Sequence, residues 1–163
     1  MDQHHEAPGD VPGELTAVVG RAERNAREGG GPFAAVVVLP DGRRFTGTNQ
    51  VVASHDPSAH AEVVAIREAC RASGAATLEG AVLYASCEPC PMCLGVALWA
   101  RLERVYHAAD RHDAARSGFD DDAFHRYFSD PAERARLPVV QQRIATAAVA
   151  FAAWDANPQA AAY

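Results

Sequence analysis

Residues 54–93 read SHDPSAHAEVVAIREACRASGAATLEGAVLYASCEPCPMC, and within them His60-Ala61-Glu62 is answered by Cys90-Pro91-Met92-Cys93. One histidine and two cysteines can hold a tetrahedral metal ion with its fourth position left open. Neutral imidazole and thiolate are the donors that suit zinc. Glu62 follows the histidine by two residues, close enough to carry protons to and from a water at that open position. Both halves of the motif fall at expected helix starts, His60 in the first turn after Pro57-Ser58 and Cys90 and Cys93 around Pro91. Backbone N–H groups and the helix dipole favour thiolates there.

A second zinc reading uses the same residues. Cys87 is also three residues from Cys90, so Cys87, Cys90, Cys93 and His60 could close a structural site with no open position. Against it, Cys87 ends a strand, with Pro89 separating it from the helix that carries the other sulfurs. A structural site also has no use for Glu62, and a chain of 163 residues can bury a core without a metal staple. Cys70, on the apolar face of its helix, reads as core.

Working outward, Leu15, Val18, Val19, Ala22 and Ala26 recur at helical spacing from Glu14 until Gly29-Gly30-Gly31-Pro32 ends the helix. Phe33–Leu39 and Arg43–Thr48 flank Pro40-Asp41-Gly42 as a β-hairpin. A loop over 49–57 leads to a helix over 58–73, with Ser58 as its N-cap. A strand over 81–86 and a helix from Pro91 to Ala100 follow. Next come a strand over 104–109, a helix over 121–128, a last strand over 139–144 and a closing helix over 147–156. This order implies an α/β fold, a three-layer α/β/α sandwich with a five-stranded mixed sheet. Residues 1–11, with Pro8 and Gly9 and with Pro12 and Gly13 just beyond, read as a disordered tail, residues 12–146 as one domain, and 147–163 as a C-terminal helix and tail.

Composition narrows the function classes. The chain is 48% hydrophobic and 22% charged, typical of a globular protein, and no apolar run reaches the roughly 20 residues of a membrane span. The polar, acidic start MDQHHEAPGD resembles no targeting segment, so the cytoplasm is the expected location. All fifteen basic residues are arginine, scattered among acids, and the net charge is −6. That argues against a nucleic-acid surface and for a small uncharged substrate. Three of the four cysteines within one heptapeptide point to a metal before a disulfide.

H-x-E followed by P-C-x-x-C is the pattern of zinc-dependent nucleobase deaminases. PSAHAEVVAIREAC with LYASCEPCPMCLGVALWAR resembles the cytidine deaminase superfamily, and within it the bacterial guanine deaminases. The likeness extends through GGPFAAVVV, AADRHDAARSGFDDDAF and the terminal tyrosine. It implies a cytidine deaminase-like fold and the hydrolysis of guanine to xanthine and ammonia with one Zn2+ per subunit. His60, Cys90 and Cys93 would hold zinc and Glu62 would shuttle protons to the leaving amine. Phe33 would stack on the base and Asn49 would bond its polar edge, while Ala61, Trp99 and Asp121 complete the pocket. It further implies a homodimer that exchanges the last helix, Tyr163 closing the partner's site.

Each substrate contact also has a plainer reading: Phe33 and Trp99 as packing, Asn49 as a turn residue, Asp121 as a solvated helix start, Tyr163 as a frayed end. Two departures stand out. The resemblance implies a second acid just before the final helix, yet Thr146 stands nearest that place with no carboxylate from Ile144 to Trp154. His107 stands where an aromatic residue is more typical. Three further readings therefore stay open: a deaminase of another amino-bearing ring (a cytosine-like base, an aminotriazine or a nucleoside), a tRNA adenosine deaminase, and a non-catalytic zinc-stabilised module.

Overall fold

The computed structural model describes residues 10–161. Met1–Gly9, most of the expected tail, and Tyr163 lie outside the described residues. The tail expectation fails at its inner end, because Asp10 caps and Val11 opens the first helix, α1 (Val11–Arg27). Pro12 does not break it: a proline in the first turn lacks only an N–H that has no helical acceptor. The Asp10 carboxylate accepts from the N–H of Gly13.

The hairpin forms as read, β1 (Ala34–Val38) against β2 (Arg44–Thr48). The expected loop after it contains a short helix, α2 (Val51–Ser54), ended by His55 in the left-handed region at φ 52°. Helix α3 (Ala61–Ser73) starts later than expected, and its N-cap is His60 rather than Ser58. Ser58 is held instead by Asp56, whose Oδ1 accepts from both the backbone N–H and the hydroxyl of Ser58. Strand β3 (Val82–Cys87), helix α4 (Pro91–Trp99) and strand β4 (Arg104–Ala109) follow. Helix α5 (Arg111–Arg116), absent from the sequence reading, is opened by a capping box between Asp110 and Asp113. Helix α6 (Asp121–Ser129), a 3-10 turn (Pro131–Arg136) and helix α7 (Val149–Asp155) complete the order.

The sheet runs β2-β1-β3-β4, with β1 antiparallel to both neighbours and β3 parallel to β4. Period-two alternation on β1 sends Ala34 and Val36 to one face and Ala35 and Val37 to the other. The first pair packs with Val18 and Ala22 of α1, together with Val82 and Tyr84. The second packs with Ala61, Ala65, Ile66 and Ala69 of α3 and Ala97 of α4. Helices thus cover both faces, giving the three layers.

Among the described residues the sheet has four strands, not five. Residues 139–144 stay out of it, with Val139 85% exposed and Val140 81%. Pro138 has no N–H to donate, and no side chain of the run is buried to offset the entropy of ordering it. β4 therefore stands as an edge. Among the described residues no helix is long and apolar enough to cross a membrane.

Candidate active site and metal centre

Helices α3 and α4 begin at one place. His60 and Cys90 are their N-caps, both with extended backbone (ψ 154° and 166°), and Cys93 sits one turn into α4. The Sγ atoms of Cys90 and Cys93 are 3.6 Å apart, and His60 Nδ1 lies 3.6 Å from the first and 3.5 Å from the second. A tetrahedral zinc with bonds of about 2.3 Å to sulfur and about 2.05 Å to nitrogen requires about 3.8 Å between sulfurs and about 3.6 Å from sulfur to nitrogen. The three donors already stand within about 0.2 Å of those separations, so they fit one zinc ion.

Cys87 takes no part in this cluster. The metal-capable group among the described residues is His60, Cys90 and Cys93, and the Cys87 thiol instead approaches the Asp110 carbonyl at 3.3 Å. Burial pushes that thiol up to about 12, far from a ligating thiolate. With three protein donors and a glutamate beside them, the arrangement is that of an open site.

The electrostatics follow from position. Among the protein groups, the Cys90 thiol is lowered, first by its hydrogen bond with Cys93 and then by that with His60. That same bond, with burial, pushes Cys93 up. The hydrogen bond to Cys90 raises His60. Glu62, in the first turn of α3, is 8% exposed, and burial lifts its carboxyl to about 7. A carboxyl titrating near neutrality can both take and give a proton there. Asp121, at the start of α6, is also raised, mainly by burial and then by the charge of Cys90.

A cavity of about 210 Å³ opens over this cluster. Its lining brings together His60, Glu62, Cys90, Phe33, Asn49 and Asp121, residues scattered over the sequence from 33 to 121. Ala61 is fully buried behind the wall, where the first turn of α3 packs on the sheet. Trp99 does not join them: it ends α4, the far end from the cluster, and is 61% exposed. The cavity lining also includes Gly31, Val51, Val52, Glu88 and Phe119, which the sequence reading missed.

Phe119 stands edge-on to Phe33 with ring centroids 4.8 Å apart, so the two rings brace each other. Glu88 accepts from the N–H of Arg111 at 3.1 Å and pairs with its guanidinium at 3.4 Å, tying the cavity wall to the start of α5. A signal for Phe119 was present, since it lies inside GFDD two residues before Asp121; nothing local marked Glu88. Thr146 and His107 are both exposed, the His107 ring bonding the Ala109 carbonyl at 2.9 Å.

Comparison with known proteins follows this geometry. Over 125 residues the chain is 47% identical to a guanine deaminase of Bacillus subtilis, covering 77% of this chain and 80% of that one. It is 41% identical over 103 residues to a tRNA-specific adenosine deaminase of Agrobacterium fabrum, covering 61% and 63%. A crystal structure of guanine deaminase from Bacillus subtilis superposes with a TM-score of 0.88 at 42% identity, covering 94% of this chain and 99% of that chain. Guanine deaminase from Nitrosomonas europaea gives a TM-score of 0.63 at 31% identity, covering 71% and 65%. Residues 14–109 match the family described as the cytidine and deoxycytidylate deaminase zinc-binding region. With its three ligands and the buried glutamate on that shared framework, the chain belongs to this zinc-binding deaminase family.

Proposed function

We propose that the protein hydrolyses guanine to xanthine and ammonia. The observation that carries this is the convergence of Glu62 and a His-Cys-Cys zinc cluster on one small cavity walled by Phe33, Phe119, Asn49 and Asp121. At about 210 Å³ it falls below the roughly 300–1,000 Å³ of pockets for drug-sized ligands, which suits a free base better than a nucleotide or a tRNA loop. The likeness to the Bacillus subtilis guanine deaminase runs well beyond the zinc motif and supports guanine as that base.

The chain's own groups divide the work. His60, Cys90 and Cys93 would hold the zinc, which when bound lowers the pKa of a water at its open position and so supplies the nucleophile. Phe33 stacks on the ring, with Phe119 fixing its tilt. Asn49 and Asp121 bond the polar edge of the base and set its angle of approach. Glu62 takes a proton from the attacking water and gives it to the adjacent ring nitrogen as the new C–O bond forms, then takes the remaining hydroxyl proton and gives it to the amino nitrogen as the C–N bond breaks and the carbonyl forms. Ammonia and xanthine leave, and Glu62 returns to its starting charge. Thr146 leaves the chain without the second acid that the family resemblance implies, so Glu62 carries both transfers.

The C-terminal segment fits an exchange between subunits of a homodimer. Leu137, Val139, Val140, Ile144, Val149, Phe151 and Trp154 are all exposed in one chain, as are Met92, Leu94, Leu98 and Trp99 on α4. Two apolar surfaces of that kind on one soluble chain are the mark of an interface. Residues 12–146 would then form the deaminase domain and 147–163 the exchanged part, with Trp99 and Tyr163 reaching a site only in the assembled dimer. A free-base substrate makes the cytoplasm the working compartment.

The test offers purified, zinc-loaded protein guanine, cytosine, adenosine, guanosine and a tRNA hairpin, and measures ammonia. Guanine is expected to release it fastest. Release from another ring but not from guanine overturns the substrate. No ammonia from any of them at full zinc loading overturns the enzyme.

A further inference from the structure

One polar side chain outside the cavity holds its wall together. Asn25 lies on the inner face of α1, continuing the buried positions Val18 and Ala22 at helical spacing. Its Nδ2 donates to the carbonyl of Gly31 at 2.7 Å and to the carbonyl of Asn49 at 3.2 Å, two segments far apart in the chain. The bonds continue into a closed ring. The N–H of Phe33 donates to the Gly31 carbonyl at 2.8 Å, and the N–H of Asn49 donates to the Phe33 carbonyl at 3.1 Å.

The glycines are cut to this arrangement. A Cβ on Gly30 would stand 2.5 Å from Asn25 Nδ2, and one on Gly31 would stand 2.9 Å from Asn49 Cγ. The Gly30 N–H also donates back to the Asn25 carbonyl at 2.8 Å. Gly31, Phe33 and Asn49 all line the cavity, whereas Asn25 does not. Asn49 in turn is oriented by the Val51 N–H, which donates to its Oδ1 at 3.3 Å.

We propose that Asn25 is a positioning residue, whose amide clamps the Gly31 and Asn49 segments and so sets where Phe33 and Asn49 meet the substrate ring. The clamp acts on the recognition wall. It does not touch α3 and α4, which carry the ligands and Glu62. Its loss therefore loosens binding and leaves the chemical step nearly intact. The inference rests on the guanine reading for its choice of substrate only.

Asn25→Asp tests it without changing size, because a carboxylate oxygen replaces the amide donor and faces two carbonyls. Gly30→Ala tests it a second way, by pushing the Asn25 amide aside while leaving the residue in place. Both variants are expected to raise KM for guanine at least tenfold, with the inhibition constant of xanthine rising in parallel. Zinc content and the pH profile should match wild type, and kcat should stay within threefold. A KM within twofold of wild type for either folded variant overturns the proposal. So does a fall in kcat with KM and xanthine binding unchanged, and so does failure of both variants to fold. Wild-type turnover tests the guanine reading separately; if another ring is the substrate, the same ratio is read on that ring.

Discussion

Gly47 of β2 is the point where sheet and active-site helix touch, and Gly47→Ala measures how tightly the site depends on that contact. A Cβ there would stand 2.1 Å from the Ala61 carbonyl oxygen, 2.7 Å from the Ala65 nitrogen and 3.1 Å from the Ala61 carbonyl carbon. The neighbours are backbone atoms of the first turn of α3, so no side chain can swing away. Gly47 does not adopt a positive φ, so alanine carries no conformational penalty at that position and the obstruction is purely steric. Opening the closest approach from 2.1 Å to at least 3.0 Å moves the start of α3 by about 1 Å. That turn carries His60 on one side of Ala61 and Glu62 on the other.

A misplacement of about 1 Å can cost on the order of 100-fold in rate, so kcat/KM should fall by about that factor. Overpacking of this kind costs about 1–3 kcal/mol, or a fall of roughly 2–12 °C in Tm for a chain of this size. The assay is ammonia release, zinc content and thermal unfolding by circular dichroism, with Gly20→Ala as control. Around Gly20 the nearest atom to an added Cβ is the flexible end of Arg24 at 3.8 Å, and alanine there should stabilise α1 by up to about 1 kcal/mol. A Gly47→Ala protein with wild-type kcat/KM and Tm would refute the claim that the β2–α3 contact sets the position of His60 and Glu62.

Four further outcomes follow. Glu62→Gln should retain zinc and lose turnover, and activity persisting above a few per cent would remove Glu62 as the proton carrier. In zinc-stripped protein the folded state holds the Glu62 proton more tightly than the unfolded one, from an ordinary 4.5 up to about 7. Stability should therefore fall by about 3 kcal/mol as pH rises from about 4.5 to about 7 and then level off, a slope that Glu62→Gln should lack in urea titrations. Parallel pH profiles for the two proteins would contradict this. Cys87→Ser should keep one zinc per chain by elemental analysis while Cys90→Ser loses it, and zinc loss from both would restore the closed Cys3His reading. On the homodimer proposed above, the full chain should sediment as a dimer and a chain lacking residues 147–163 as a monomer by analytical ultracentrifugation, and the same oligomeric state for both would count against the exchanged segment.

Much of the site was legible because its parts are local. His60, Glu62, Cys90 and Cys93 sit at helix starts, His60 and Cys90 as N-caps and Glu62 and Cys93 in the first turns, and the three-residue step from Cys90 to Cys93 puts both sulfurs on one side. The hairpin, β3, α4 and β4 were equally readable from period and punctuation. The misreading of Ser58 as N-cap shows the limit of such signals: its hydroxyl had a nearer partner in Asp56, and His60 took the cap two residues on. The run 139–144 has the composition of a strand, but a strand exists only where another offers its N–H and C=O groups, and that is not written in the run itself. Helix α5 was missed although its Asp110–Asp113 box was present in the letters.

The sequence by itself determined the donor set: His60, Cys90 and Cys93, able to hold one metal ion, and the carboxylate of Glu62 beside them, each encoded within a turn or two of helix. Only the tertiary structure decided the shape around them. It brought Phe33 against Phe119, set Glu88 and Asp121 into the wall, left Cys87 and Trp99 outside, and closed the Asn25 clamp between segments that the letters keep 24 residues apart. Ligand spacing follows from the fixed rise and turn of one helix. A cavity wall depends on how separate elements pack, and no short-range pattern records that.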